Sequence, residues 1–393
     1  MTVERCGYVF SIETALKDTK GACCWRSCVD GANRCVWHLD EDKSDLLTSP
    51  LVIGTGEEFA ESILRGASLA GETALAGRSL ARSDFSGADL RKTDLSETNL
   101  SDADLSDADL EGCDLRDANL QNADLRGANL RSADLTDADA RGATLDGANL
   151  ENARFTRTNL RNASLEDARL YETGFSDTWI NEGTRLGRWC VYETDPDLLG
   201  EKGYIERDPD DVRSEQTETV IPENEAAAWT YRALARLCQE NALPGRTQWY
   251  FIREQEARRK QAWVTGKYVE AVKSELSRWV MQHGTNPWRL VGVSALVILV
   301  SAVLYPLTGG LLDTASGKMF GFAVETPGEA PQYYFGTVFL KSLYFSTVTF
   351  ATLGYGDIQP VGAYARFVAT AETLLGSVLT ALLVFVLARI VSW

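Results

Sequence analysis

The residues with the most to offer chemically lie near the C-terminus, in Phe350-Ala351-Thr352-Leu353-Gly354-Tyr355-Gly356-Asp357-Ile358-Gln359-Pro360. Their chemistry is that of the backbone. Gly354 and Gly356, separated by one residue, allow backbone angles that L-residues avoid, so successive carbonyls can be aimed the same way. A ladder of such carbonyls, with the Thr352 hydroxyl below it, can replace water around a cation. Non-helical backbone at membrane depth is tolerated only where it is buried in protein or lines a water path. The flanking elements therefore decide what this stretch means.

A second group lies at the opposite end. Five of the eight cysteines fall in the first 35 residues (Cys6, Cys23, Cys24, Cys28 and Cys35), and His38 follows. Cys35-x-x-His38 is tight enough for two ligands on one knuckle. Cys24 and Cys6 would complete a tetrahedral zinc set of three thiolates and one imidazole, with Cys28 as an alternative to either and Cys23 as a non-ligand. A segment of this size builds little core, so a structural metal would help it fold. The alternative is a set of free thiols packed on Trp25 and Trp37. An enzyme is not expected. The only histidines are His38 and His283, and no nucleophile elbow, Walker loop or paired-carboxylate motif is present.

The elements around the glycine stretch fit a membrane setting. Leu290 to Leu307 is almost wholly apolar and near the ~20 residues that a bilayer core requires. Pro306 and Gly309-Gly310 end it, and a polar stretch runs from Thr308 to Tyr333. Tyr334 to Phe350 is half apolar, too short to cross, and runs straight into Ala351 and Thr352. Residues 362–392 form a second span. Residues 286–393 thus resemble two-transmembrane potassium channels throughout. The resemblance implies a pore helix whose C-terminal dipole end faces the cation path. It implies a K+ filter formed by Thr352, Leu353, Gly354, Tyr355 and Gly356, with Asp357 tying its outer end to the pore helix. Leu353 stands where Val is usual, and Tyr344 and Phe345 where two Trp are common. Gly376 matches the gating hinge of the inner helix and Arg366 a basic position at its outer end. Thr380, Val384 and Ala388 would face the cavity and inner gate. For Gly376 the competing role is close helix packing. Glu372, an acid inside a span, would either attract cations in the cavity or hydrogen-bond behind the filter. One filter strand cannot enclose an ion, so the resemblance implies a homotetramer.

Residues 57–183 carry an internal repeat. From Leu80 to Ile180 every fifth residue is apolar, and sixteen of those 21 positions are Leu. Two residues before most of them stands a small side chain, such as Ala103, Ala108, Ala118 or Ala123. Period five is neither 3.6 nor 2, which excludes an ordinary helix or strand. The pattern resembles the pentapeptide-repeat family, which implies a right-handed quadrilateral β-helix with twenty residues per coil. Cys113 occupies a small-residue slot and reads as core. The extra residue between Leu69 and Leu75 marks the first coil or its cap. The faces mix Asp and Glu with Arg126, Arg131, Arg141 and Arg157, which favours a scaffold or assembly rod over a mimic of DNA.

Between these parts lie an acidic linker at 184–222 and a helical region at 223–285. Trp189 to Tyr192 reads as a strand closing the solenoid. Ala226–Glu240 and Gln248–Gln261 read as a hairpin resembling a single tetratricopeptide pair, with Trp229, Tyr231, Trp249 and Tyr250 in its core. Residues 267–282 read as an amphipathic helix on the inner membrane surface, with Trp279 and Trp288 as interfacial anchors. The formal charge of −17 argues against a nucleic-acid partner. From Glu225 to Arg289 there are 11 basic against 6 acidic residues, which places the N-terminal portion, and with two spans both termini, in the cytoplasm. No signal peptide is apparent and no Arg-rich sensor precedes the first span, so control is expected from residues before Asn286 or from the lipid. The competing readings are a membrane-anchored acidic scaffold and a weakly selective cation channel.

Overall fold

A computed structural model describes residues 59–194, 223–322 and 334–392. The expected zinc ligands Cys6, Cys24, Cys35 and His38 lie outside the described residues. The chain divides into two compact units, Met1–Thr265 and Gly266–Trp393.

In the first unit the five-residue period becomes a four-sided parallel β-helix. Asp104, Asp109, Asp114 and Asn119 each bridge the residue twenty further on, in parallel. The Leu105 amide donates to the Asp124 carbonyl (2.7 Å) and the Asp124 amide to the Ala103 carbonyl (2.9 Å), and this alternation repeats along the rod. Leu75 to Leu165 are 0–1% exposed at each leucine centre, and the alanines beside them are equally buried. Where the small slot holds threonine, the hydroxyl donates to a carbonyl of the coil before, as Thr93 does to Leu69 (2.8 Å) and Thr158 to Leu135 (2.6 Å). These hydroxyls are thereby met inside the narrow interior. Cys113 fills its slot at 1% exposure with its thiol on the Thr93 carbonyl, and burial pushes the thiol pKa up, away from reactivity.

The corners carry the strain. Two residues after each centre the backbone turns left-handed, even at Arg82, Lys92 and Glu97 (φ 58°, 56° and 57°). L-residues disfavour this region by roughly 1–2 kcal/mol each, which the coil-to-coil ladder offsets. The extra residue before Leu75 is absorbed in the first coil, where Ile63 pairs with Asp84 and Ser68 with Asp89.

The run at Trp189 does not form a strand. Val191–Thr194 is one helical turn, α1. Tyr192 points into the end of the rod, 1% exposed, and donates to Glu151 Oε1 (2.7 Å). Helices α2 (Glu223–Glu240) and α3 (Pro244–Val264) then cap the last coil. Asn241, in the turn between them, accepts from the Ile180 amide (2.9 Å) and donates to the Thr178 carbonyl (2.8 Å). Tyr231 and Tyr250 are buried in one apolar core with the leucine column. The hairpin is therefore the solenoid's cap. The residues at 223–285 fall into different units, because α4 (Tyr268–Met281) belongs to the second.

In the second unit α4 turns through Gln282–Gly284 into α5 (Pro287–Leu307). The polar stretch expected after it begins with strands β1 (Leu311–Asp313) and β2 (Met319–Phe320). Helix α6 (Tyr334–Phe350) follows, then the glycine stretch, β3 (Ile358–Pro360) and α7 (Gly362–Ser392). The strands form one sheet in the order β2-β1-β3, antiparallel throughout. Gly309 and Gly310 are required at its edge, where an added Cβ would lie 2.5 Å from the Val361 and Phe320 carbonyl oxygens. Helices α5 and α7 are long and apolar enough to cross a membrane.

Candidate functional site: the glycine stretch and its frame

Helix α6 packs against both α5 and α7 and ends at Phe350, so its negative dipole end is directed at the glycine stretch. Its last turn runs on through bonds from the amides of Thr352 to Thr349 and Leu353 to Val348 (both 3.0 Å). The backbone then alternates. Thr352, Gly354 and Gly356 have φ of 56°, 50° and 76°, while Leu353 and Tyr355 between them are not left-handed. Alternating hands along a strand is what turns successive carbonyls to one side. Leu353 and Tyr355 expose 57% and 66% of their surface, so their packing is not provided by their own chain. The Thr352 hydroxyl donates to the Ala351 carbonyl (2.7 Å).

The outer end is fastened twice. Tyr344 on α6 donates to Asp357 Oδ2 (2.9 Å). The Thr314 amide and hydroxyl both donate to the Asp357 carbonyl (2.9 and 3.0 Å), and β3, immediately after, is zipped to β1. Asp313 at the end of β1 pairs with Lys341 of α6 (2.8 Å). That ammonium, with the Ser316 and Ala315 amides, holds the Asp313 carboxyl down at about 2. Sequence reasoning misses this hairpin brace. Its strands are two or three residues long, too short to show a period, and the Leu311-Leu312 pair with the turn ending at Gly317 is the only trace.

Glu372 takes the second of its two expected places. It is 2% exposed, between α5, α6 and α7, and accepts from Tyr305 (2.5 Å) and from Ser346. Ser346 also reaches the Ile298 carbonyl (2.8 Å). The acid thus ties three helices together behind the glycine stretch, and it does not face an open cavity. Tyr305 meets Phe345 edge-on at 4.9 Å in the same layer. Gly376 lies one turn further along α7, where a Cβ would stand 2.3 Å from the Phe350 carbonyl oxygen. Close packing, the competing role for this glycine, is therefore present. Thr380, Val384 and Ala388 are all exposed, whereas Glu372, Gly376, Leu379 and Val386 of the same helix are buried. Arg366 is likewise exposed near the start of α7. Among the described residues no group of three or more His, Cys, Asp or Glu could hold a metal ion.

Two families of known proteins match separate parts of the chain. Pentapeptide repeats match in eight copies across residues 79–117, 113–152 and 148–182. An ion-channel family model matches residues 292–392. The chain carries pentapeptide repeats followed by a pore-loop ion-channel domain. Solved structures similar to the repeat domain include HetL, a pentapeptide repeat protein involved in heterocyst differentiation regulation from the cyanobacterium Nostoc sp. strain PCC 7120. It is 31% identical over 33% of this chain and 68% of that one, with a TM-score of 0.22. Another is the pentapeptide repeat protein Rfr23 from the cyanobacterium Cyanothece 51142, 30% identical over 30% of this chain and 90% of that one, with a TM-score of 0.19. No curated protein matches the chain.

Proposed function

We propose that this ion channel is potassium-selective and works as a homotetramer in the cell membrane, inner or plasma, with both termini cytoplasmic. Four copies of Thr352 to Gly356 line the filter, and dehydrated K+ is the cargo. The observation that carries this reading is the alternation of left-handed φ at Thr352, Gly354 and Gly356, at the end of a re-entrant helix between two apolar spans. Carbonyls turned to one side supply the ion's coordination, and four copies close the ring. Tyr344 and the β1–β3 brace hold each strand's outer end, and Glu372 holds its helix from behind. Exposed Tyr355 packs against the neighbouring copy. Gly376 serves close packing in the closed pore and is the point at which α7 bends to open it. Thr380, Val384 and Ala388 line the cavity below.

The exposed apolar residues Tyr268, Val272, Leu276 and Trp279 of α4 suit a helix lying in the inner membrane surface. The repeat domain serves assembly or regulation. A zinc ion on Cys6, Cys24, Cys35 and His38 would stabilise the first 50 residues, and metal content of the full chain against Cys35→Ser tests it. The channel reading is tested by K+ flux from liposomes. Barium-blocked flux is expected, and well-folded oligomers without flux would leave a membrane-anchored scaffold instead. Reversal potentials in mixed Na+ and K+ separate K+ selectivity from weak cation selectivity.

A further inference from the structure

The solenoid cap holds a second candidate site, independent of the pore reading. We propose that the groove between the last β-helix coil and the first turn of α3 binds a nucleotide. Its volume is about 390 Å³, within the ~300–1,000 Å³ usual for small-ligand pockets. Arg185, Arg188 and Arg246 line it against a single carboxylate, Glu166, and Trp249 and Tyr250 supply an aromatic wall.

Two of these three guanidiniums have no carboxylate partner among the described residues. Arg185 is shared by Asp146 (3.4 Å) and Glu166 (3.7 Å). Arg246 is held by two backbone carbonyls, those of Thr184 and Glu182 (both 2.7 Å), which fix its guanidinium and leave its charge uncompensated. Neither Arg246 nor the exposed Arg188 has a carboxylate partner among the described residues. In a chain of net charge −17, Arg188 and Arg246 thus form a local positive site beside the paired Arg185. Planar, multi-donor guanidinium forks match phosphate oxygens.

The aromatic wall selects the other half of the ligand. Tyr250 is anchored by its hydroxyl to the Gly187 carbonyl (2.9 Å), and Trp249 meets it edge-on at 5.1 Å. Both rings are thus set in place before any ligand arrives, which lowers the cost of ordering a base beside them. Helix α3 begins without a side-chain cap, so first-turn amides add to the positive potential at its start. Phosphate on Arg188 and Arg246 with a planar base against Trp249 is the arrangement these groups fit.

The experiment is calorimetric titration of the full chain in detergent with AMP, with inorganic phosphate, and with adenosine. Saturable AMP binding is expected, tighter than phosphate or adenosine alone. Arg188→Glu should weaken it by about tenfold or more with an unchanged unfolding temperature, since Arg188 has no carboxylate partner among the described residues. Three results would overturn the proposal: no saturable AMP binding at millimolar concentration, AMP affinity unchanged in Arg188→Glu, or phosphate binding as tightly as AMP.

Discussion

The repeat domain and the channel domain solve the burial problem in opposite ways. In the β-helix every leucine finds its partners in its own chain. Leu100, Leu115 and Leu130 are all 0% exposed, and each backbone amide on the ladder is met one coil away. In the channel domain only 28% of the α5 apolar window and 17% of the α7 window are buried, and Phe367, Leu374 and Val384 are each more than half exposed. The β-helix buries its leucine column within one copy. The channel domain places its polar centre at Glu372 and leaves its apolar exterior and the Leu353 and Tyr355 side chains exposed, the surfaces that lipid and further copies cover in the proposed homotetramer. A self-sufficient element and an incomplete one are joined in one chain, and their failures should therefore be separable.

The sharpest way to separate them is in the glycine stretch. Gly354→Ala or Gly356→Ala forces an L-residue to hold a left-handed angle at about 1–3 kcal/mol for each copy. Ion flux should fall by on the order of 1,000-fold or more, four such costs acting together, while the thermal unfolding of the repeat domain stays as in the wild type. Leu125→Ala should do the converse. It opens a cavity in the rod costing about 2–5 kcal/mol, read as a lower unfolding temperature for the repeat domain, with flux per folded channel retained. Coupled loss in both domains would break the comparison.

Glu372→Ala tests the channel domain's internal frame. It leaves the buried Tyr305 hydroxyl without its acceptor, at about 1–3 kcal/mol, while Ser346 keeps the Ile298 carbonyl. The detergent-solubilised domain should unfold at lower temperature, and Glu372→Gln, which keeps an acceptor, should lose less. The smallest effect is expected on the rod's surface. Arg157 pairs with Asp137 across coils with half its side chain exposed, and such pairs contribute little in water. Arg157→Ala should leave the unfolding temperature within experimental error.

The two domains also differ in how much of their architecture is legible in the sequence. The β-helix is written in its period, because each residue's environment depends on its place in the five and on the residue twenty away. Its cap is not. Asn241 and Arg246 hold it by bonds to the carbonyls of Thr178, Glu182 and Thr184, and backbone acceptors leave no mark on side-chain pattern. The Trp189 to Tyr192 run reads as extended because it is aromatic and β-branched, yet it forms a helical turn, since Tyr192 is drawn into the rod's end. In the channel domain the glycine stretch and the spans are legible from composition. The position of Glu372 is not, because its partner Tyr305 is 67 residues away and a span apolar on all sides does not reveal which face is inward. The β1–β3 brace is equally silent, being made of three-residue strands.

In the proposed channel, four copies of the alternating stretch conduct potassium selectively. The most direct measurement is the reversal potential of the purified full chain in a planar bilayer, with K+ on one side and Na+ on the other. Barium-sensitive currents are expected, with a reversal potential close to that for K+ alone. Currents reversing near zero, or no current from well-folded oligomers, would contradict it.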